Sequence, residues 1–223
     1  MRRDTPITRH LMRVAGAAAS SPVASARRAD LRAHDLMRAK LATDQRRLKS
    51  VQSITRKIEI KREVLPEYAP YVSEVTERDA GGQDDVLVTL LVWRIDAGDF
   101  VGALDIARYA IRHGLAMPEH YERTLPATVA EGFADSEGVP DAILGEALDL
   151  TMPFDMVDQI RAKLFKAYGL ALAASDKPAA LDLLRRAIQM NDRIGVKRDI
   201  ARLEAQIAED NSASRPLQGG VDA

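Results

Sequence analysis

The sequence predicts an all-α protein: helical hairpins packed as a bundle, with some tetratricopeptide-like character, preceded by a long basic N-terminal helix. Aromatic residues make up only 4% of the 223 positions, while Ala, Leu, Arg and Asp are abundant. That composition suits helices packed through small and aliphatic side chains better than sandwiches or barrels. Glycine and proline also fall in punctuating groups, between segments whose apolar residues recur three and four apart.

Taken in order, residues 1–25 are rich in Ala, Ser and Arg, contain Pro6 and Pro22, and read as a flexible basic arm with at most one short helix near residues 8–19. Arg9, His10 and Arg13 interrupt any apolar stretch that a secretory leader would need. From residue 25 to 64 there is no Gly or Pro, so one long helix, broken at most once, is the economical reading. Leu41, Leu48, Val51, Ile54 and Ile58 mark a narrow apolar seam along it, of the kind that packs helices or protomers together.

Pro66 and Pro70 then predict a boundary, because proline cannot donate within a helix interior and restrains the residue before it. A short helix over residues 70–78 should lead to Gly81 and Gly82, with Asp84 capping the next helix over 85–97. Gly98 and Asp99 make a turn, and a helix from Phe100 to His113 returns, ended by Gly114 with Pro118 beyond. Residues 119–140 read as a polar connection. Helices follow over 141–150, 154–174, 178–190 and 196–210, the last with Ile200, Leu203 and Ile207 on one face, and residues 211–223 read as a disordered tail.

Two hairpins echo each other. Ala103, Leu104, Ala107, Ala110 and Ile111 follow one turn at the same offsets as Ala180, Leu181, Leu184, Ala187 and Ile188 follow another. The pattern resembles the second helix of a tetratricopeptide unit, yet the copies are not in tandem, which favours two hairpins in one bundle.

Net charge is −1, but it is strongly polarised: residues 1–64 carry 16 Lys and Arg against 6 Asp and Glu, and the remaining 159 residues carry 16 against 27. The division suggests a basic region over 26–64 that meets a polyanion or assembles protomers, and an acidic helical domain over 65–210. Arg27, Arg28, Arg32, Arg38, Lys40, Arg46, Arg47, Lys49, Arg56, Lys57, Lys61 and Arg62 are the candidate DNA-binding residues. Arginine outnumbers lysine among them, and the guanidinium fork suits phosphate. The competing reading is a solvated basic helix whose charges are met by carboxylates of the acidic region or of a neighbouring protomer.

Other chemistries find little support. Cysteine is absent, so disulfides, thiolate zinc sites and cysteine nucleophiles are excluded. No apolar run nears the roughly 20 residues of a membrane span. No phosphate-binding loop of the ATPase type and no nucleophile elbow occur. Asp84, Asp85, Asp96 and Asp99 are the carboxylates a metal-dependent nuclease would draw on, though capping explains them more simply. His10, His34, His113 and His120 are scattered without ligand spacing. No cofactor is expected, with Mg²⁺ entering only if the chain is itself a nuclease.

The residues also carry a family resemblance. EVLPEYAPY at 63–71, QDDVL at 83–87, LVWRIDAGDFVGALDIARYA at 91–110 and GLAMP at 114–118 form a long, specific block. RHLMRV at 9–14, LATDQR at 41–46 and VDQIRAKLFKAYG at 157–169 add weaker matches. Together they resemble the phage terminase small subunit family, described as the terminase endonuclease subunit. The resemblance implies a protein in the host cell cytoplasm that recognises the packaging or cohesive-end site of concatemeric double-stranded phage DNA. It further implies delivery of that DNA to a large ATPase subunit and a ring-like homo-oligomer. The endonuclease label comes with the family, whereas no nuclease motif is visible in the residues.

Overall fold

A computed structural model describes residues 22–213, with side chains described for 32–212; the rest of the expected arm and tail lies outside the described residues. Among these residues there are nine helices and no strand: α1 Pro22–Lys49, α2 Ile54–Arg78, α3 Asp85–Ala97, α4 Phe100–Arg112, α5 Leu125–Asp135, α6 Asp141–Thr151, α7 Asp158–Leu172, α8 Lys177–Met190 and α9 Lys197–Ala213. The all-α expectation is met. Each helix packs on the next one or two along the chain and on no more distant helix. This serial packing does not establish a tetratricopeptide repeat, although Ala103, Ala107 and Ala110 of α4 and Ala180, Leu184 and Ala187 of α8 are all fully buried at equivalent offsets.

The long basic helix is broken once. Ser50 turns α1 off by donating to the Arg47 carbonyl at 2.7 Å, and Ser53 caps α2 by accepting from the Arg56 N–H at 3.3 Å. The expected apolar seam is therefore discontinuous: Leu41 and Leu48 are buried, but Ile54 lies beyond the break and is 76% exposed.

The boundary expected at Pro66 and Pro70 is not a helix end. Both prolines sit inside α2, which runs unbroken to Arg78. Each ring is exposed, while Ile60, Val64, Leu65, Tyr68, Tyr71 and Val72 on the opposite face are buried. A proline in a helix interior costs about 3 kcal/mol. Burying six large side chains at roughly 1.5–3 kcal/mol each outweighs two such losses.

α3 is the centre of the core. Val86, Leu87, Val88, Leu90 and Leu91 are fully buried, so the helix is apolar all round because α1, α2, α4 and α5 surround it. Asp84 caps it through the Leu87 N–H at 2.9 Å, and Asp99 caps α4 through the Gly102 N–H at 3.1 Å. The polar connection expected over 119–140 contains a helix instead, α5, started by Pro126 in its first turn and buried through Leu125, Val129, Ala130 and Phe133. Its Gly132 marks close packing rather than a turn: a Cβ there would lie 3.0 Å from the Ile95 side chain of α3.

A second, smaller cluster of Ala180, Leu184, Val196 and Leu203 holds α8 to α9. Among the described residues no helix is long and apolar enough to cross a membrane.

Candidate nucleic-acid interface

The twelve candidate cations separate into groups. The side chains of Arg27 and Arg28 lie outside the described residues. Four others have carboxylate partners within the chain. Lys40 bonds Asp44 and Glu67, both at 2.9 Å, and Arg47 grips Glu63 with two bonds of 3.2 and 2.7 Å. Arg56 pairs with Glu59 at 2.6 Å, and Lys61 pairs with Asp96 of α3. Arg62 donates to the Ala97 carbonyl at 2.8 Å, closing an open acceptor at the end of α3.

Arg32, Arg38, Arg46, Lys49 and Lys57 have no carboxylate partner among the described residues. At about 100° per residue, the first four fall within about a third of the α1 circumference, turned away from the buried Leu41 and Leu48. Asp35, also exposed, is the acid on that flank. Arg46 and Lys49 are in the last turn of α1, where positive charge also stabilises the helix dipole.

The helix that carries the stripe is bonded to α2. Tyr68 of α2 donates to Asp44 at 2.6 Å, and the Lys40 ammonium sits 4.5 Å over the Tyr68 ring. Burial works against the charged Lys40, but hydrogen bonds to Asp44 and Glu67 outweigh it and hold its pKa above the ordinary lysine value. Burial, followed by the hydrogen bond to Asp44, pushes the Tyr68 phenol up, so it remains a donor. Tyr71 repeats the arrangement, donating to the buried Asp84 at 2.5 Å.

Beside the end of α1 lies an open groove of about 440 Å³, bounded by Gln45, Leu48 and Lys49 of α1, Lys57 and Lys61 of α2, Thr89 and Trp93 of α3, and His120 and Tyr121 of the α4–α5 connection. No carboxylate lines it. Trp93 is 5% exposed and packs edge-on against Tyr68 with ring centres 6.4 Å apart. The rings of His120 and Tyr121 lie 4.3 Å apart. Burial, followed by the charge of Asp96, raises the Tyr121 phenol pKa.

The three lysines of this groove are among the cations expected from the sequence, whereas its aromatic walls are not. One signal was available. Lys57, Lys61, Val64, Tyr68 and Tyr71 recur at the i, i+4, i+7, i+11, i+14 spacing of one helix face, so two lysines occupy the stripe that is core further along. Local breaks in an apolar pattern mark functional or strained positions.

The carboxylates considered for a nuclease are otherwise engaged. Asp84 caps α3 and accepts from Tyr71, Asp85 accepts from the Gln83 amide at 2.8 Å, Asp96 pairs with Lys61, and Asp99 pairs with Arg94 at 2.5 Å. Among the described residues no group of three or more His, Asp or Glu side chains is arranged to hold a metal ion. A separate surface, at the α6–α7 connection, exposes Met152, Phe154 and Val157.

Comparison with known proteins bears on what this surface meets. A family model described as the phage small terminase subunit matches residues 38–164, a segment that contains every residue of the groove. The chain is 43% identical over 213 residues to the terminase endonuclease subunit of Escherichia phage P2, an alignment covering 91% of this chain and 85% of that protein. It is 26% identical over 185 residues to the probable terminase endonuclease subunit of Haemophilus phage HP1, covering 73% of this chain and 66% of that one. No solved structure matches the chain.

Proposed function

The chain belongs to the phage small terminase subunit family, and from that premise we propose that it binds duplex phage DNA at the packaging site and delivers it to the large ATPase subunit. The observation that carries the first half is the flank of Arg32, Arg38, Arg46 and Lys49, continued by Lys57, in which no cation is neutralised by a carboxylate among the described residues. Such side chains can replace the counterions condensed on a phosphodiester backbone, Arg46 by giving up its bonds to the Ala42 carbonyl and the Thr43 hydroxyl. Arg27 and Arg28 extend the same basic segment in sequence.

The delivery half rests on the polarity of the chain. Residues 65–223 carry 27 Asp and Glu against 16 Lys and Arg, a balance that disfavours DNA over most of this part and leaves it largely for protein contacts. Met152, Phe154 and Val157 supply exposed apolar surface there. A ring of several copies in the host cytoplasm would place many basic flanks along one DNA. The phage P2 relative is called an endonuclease subunit; for this chain, DNA cleavage is assigned to the terminase holoenzyme, because Asp84, Asp96 and Asp99 already serve caps and ion pairs.

A purely protein-binding adaptor is the second reading, favoured by the internal pairing of Lys40, Arg47, Arg56 and Lys61. The two separate on the intact chain, since removing residues 1–64 would take Leu41, Leu48, Ile60 and Val64 out of the core. Duplex binding by the full-length protein that weakens steeply with salt is the expected result. Failure to bind duplex at low salt, with assembly to the large subunit intact, would leave the adaptor.

A further inference from the structure

We infer that the groove floored by Trp93 seats one unpaired nucleotide, its base on the Tyr121–His120 wall and its phosphate between Lys49 and Lys57. The inference rests on the DNA-binding reading and names a finer substrate for the same surface. Four observations support it.

The groove is lined by three ammonium groups and no carboxylate, and with Lys61 met by Asp96 beside it two positive charges remain, which favours an anion. Lys61 is already paired with Asp96, and its side chain is 15% exposed, which leaves Lys49 and Lys57 to take the charge. Three of its nine lining residues are aromatic rings, in a chain with one Trp, five Tyr and four His, and a π face beside a cation suits a planar base joined to a phosphate. Its volume of about 440 Å³ falls within the roughly 300–1,000 Å³ of small-ligand sites.

A base inside a duplex is stacked and paired, and presents only its edge to a groove. The Trp93 groove is lined by three aromatic rings and no carboxylate, and it carries the amide of Gln45 as the adaptable polar group. Those features fit a base that has left the stack, at an end or in a melted stretch, and the basic flank of α1 leads to it through Lys49. A phosphate alone would need the lysines but not the rings, and a duplex passing over the surface would need neither Trp93 nor Tyr121.

Trp93 is the single tryptophan of the chain, so its fluorescence reports on this groove alone. Full-length protein is titrated with a blunt duplex and with the same duplex carrying a short single-stranded thymidine extension. The extension is expected to quench Trp93 and to raise affinity about tenfold, the scale of one base–aromatic stack. The affinity ratio of extended to blunt duplex is expected to fall to about one in Tyr121→Leu and in His120→Ala, and to persist in Tyr121→Phe, which keeps the ring. An extension that neither quenches Trp93 nor adds affinity, in a protein that binds the blunt duplex, overturns the inference. Binding of neither duplex overturns the DNA-binding reading beneath it as well.

Discussion

Tyr68 donates its hydroxyl hydrogen to Asp44 at 2.6 Å, and this bond, buried between α1 and α2, fixes the basic flank of α1 relative to the core. Tyr68 is fully buried and Asp44 is 8% exposed, so neither group can turn to water if its partner is lost. Tyr68→Phe is expected to cost about 1–3 kcal/mol, the penalty of a buried polar group left short of a partner. Urea unfolding measures it. A loss below half a kilocalorie would mean that Lys40 alone satisfies Asp44.

Gly169 of α7 sits where α8 comes closest: an added Cβ would lie 2.9 Å from Leu184 and 3.1 Å from the Ala180 carbonyl oxygen. Gly→Ala in a free helix gains about 1 kcal/mol. Leu184 is fully buried and the carbonyl belongs to a helix backbone, so neither yields easily. Overpacking by about 1–3 kcal/mol then outweighs the gain, and Gly169→Ala is expected to lower the thermal midpoint. A raised midpoint would show that α8 can move.

Arg161, 6% exposed and without a carboxylate partner among the described residues, donates to the Thr151 carbonyl at 3.1 Å and the Phe154 carbonyl at 2.8 Å. It thereby closes the end of α6 and holds the turn that exposes Phe154. Arg161→Met removes both bonds while filling similar space, and is expected to cost about 1.5–3 kcal/mol. Hydrogen exchange should rise at residues 151–157 before it rises elsewhere, and unchanged protection there would refute the role.

Three carboxylates are held below their ordinary range: Glu63 by the hydrogen bond from Arg47, Asp79 by that from His113 and then by Arg112, and Glu146 by that from Arg108. A carboxylate whose folded pKa is depressed contributes stability above its unfolded pKa and loses it as pH falls through the folded value. Unfolding free energy should therefore be level near neutrality and fall below about pH 4. Glu146→Gln is expected to flatten part of that fall. An unchanged acid limb would assign the loss to other groups.

Much of this fold was legible where local chemistry decides it. The caps at Asp84 and Asp99 and the turn at Gly98 came from residue types whose geometry is local. Errors arose where tertiary packing decides. Pro66 and Pro70 look like a boundary in isolation and are overridden by the buried face of α2. Residues 119–140 look like a polar connection and instead contain α5, which meets Ile95 at Gly132.

For the site, the sequence held the cations but not their partners. Arg47 and Glu63 are sixteen residues apart, and Lys61 and Asp96 thirty-five, so only the fold distinguishes paired charges from free ones. His120 and Tyr121 stand in a polar connection with no periodicity, and nothing local ties them to Trp93.

The measurement that bears most directly on the free flank is the slope of log affinity for duplex DNA against log salt, in two full-length variants. One replaces Arg38, Arg46, Lys49 and Lys57 by glutamine. The other replaces Arg47 and Glu63 by glutamine, removing an internal ion pair without changing net charge. Each phosphate contact contributes about 0.9 to the slope, so the first variant should lose roughly 3–4 units and the second almost none. Equal slopes in the first variant and the unmodified protein would show that these side chains do not hold phosphate.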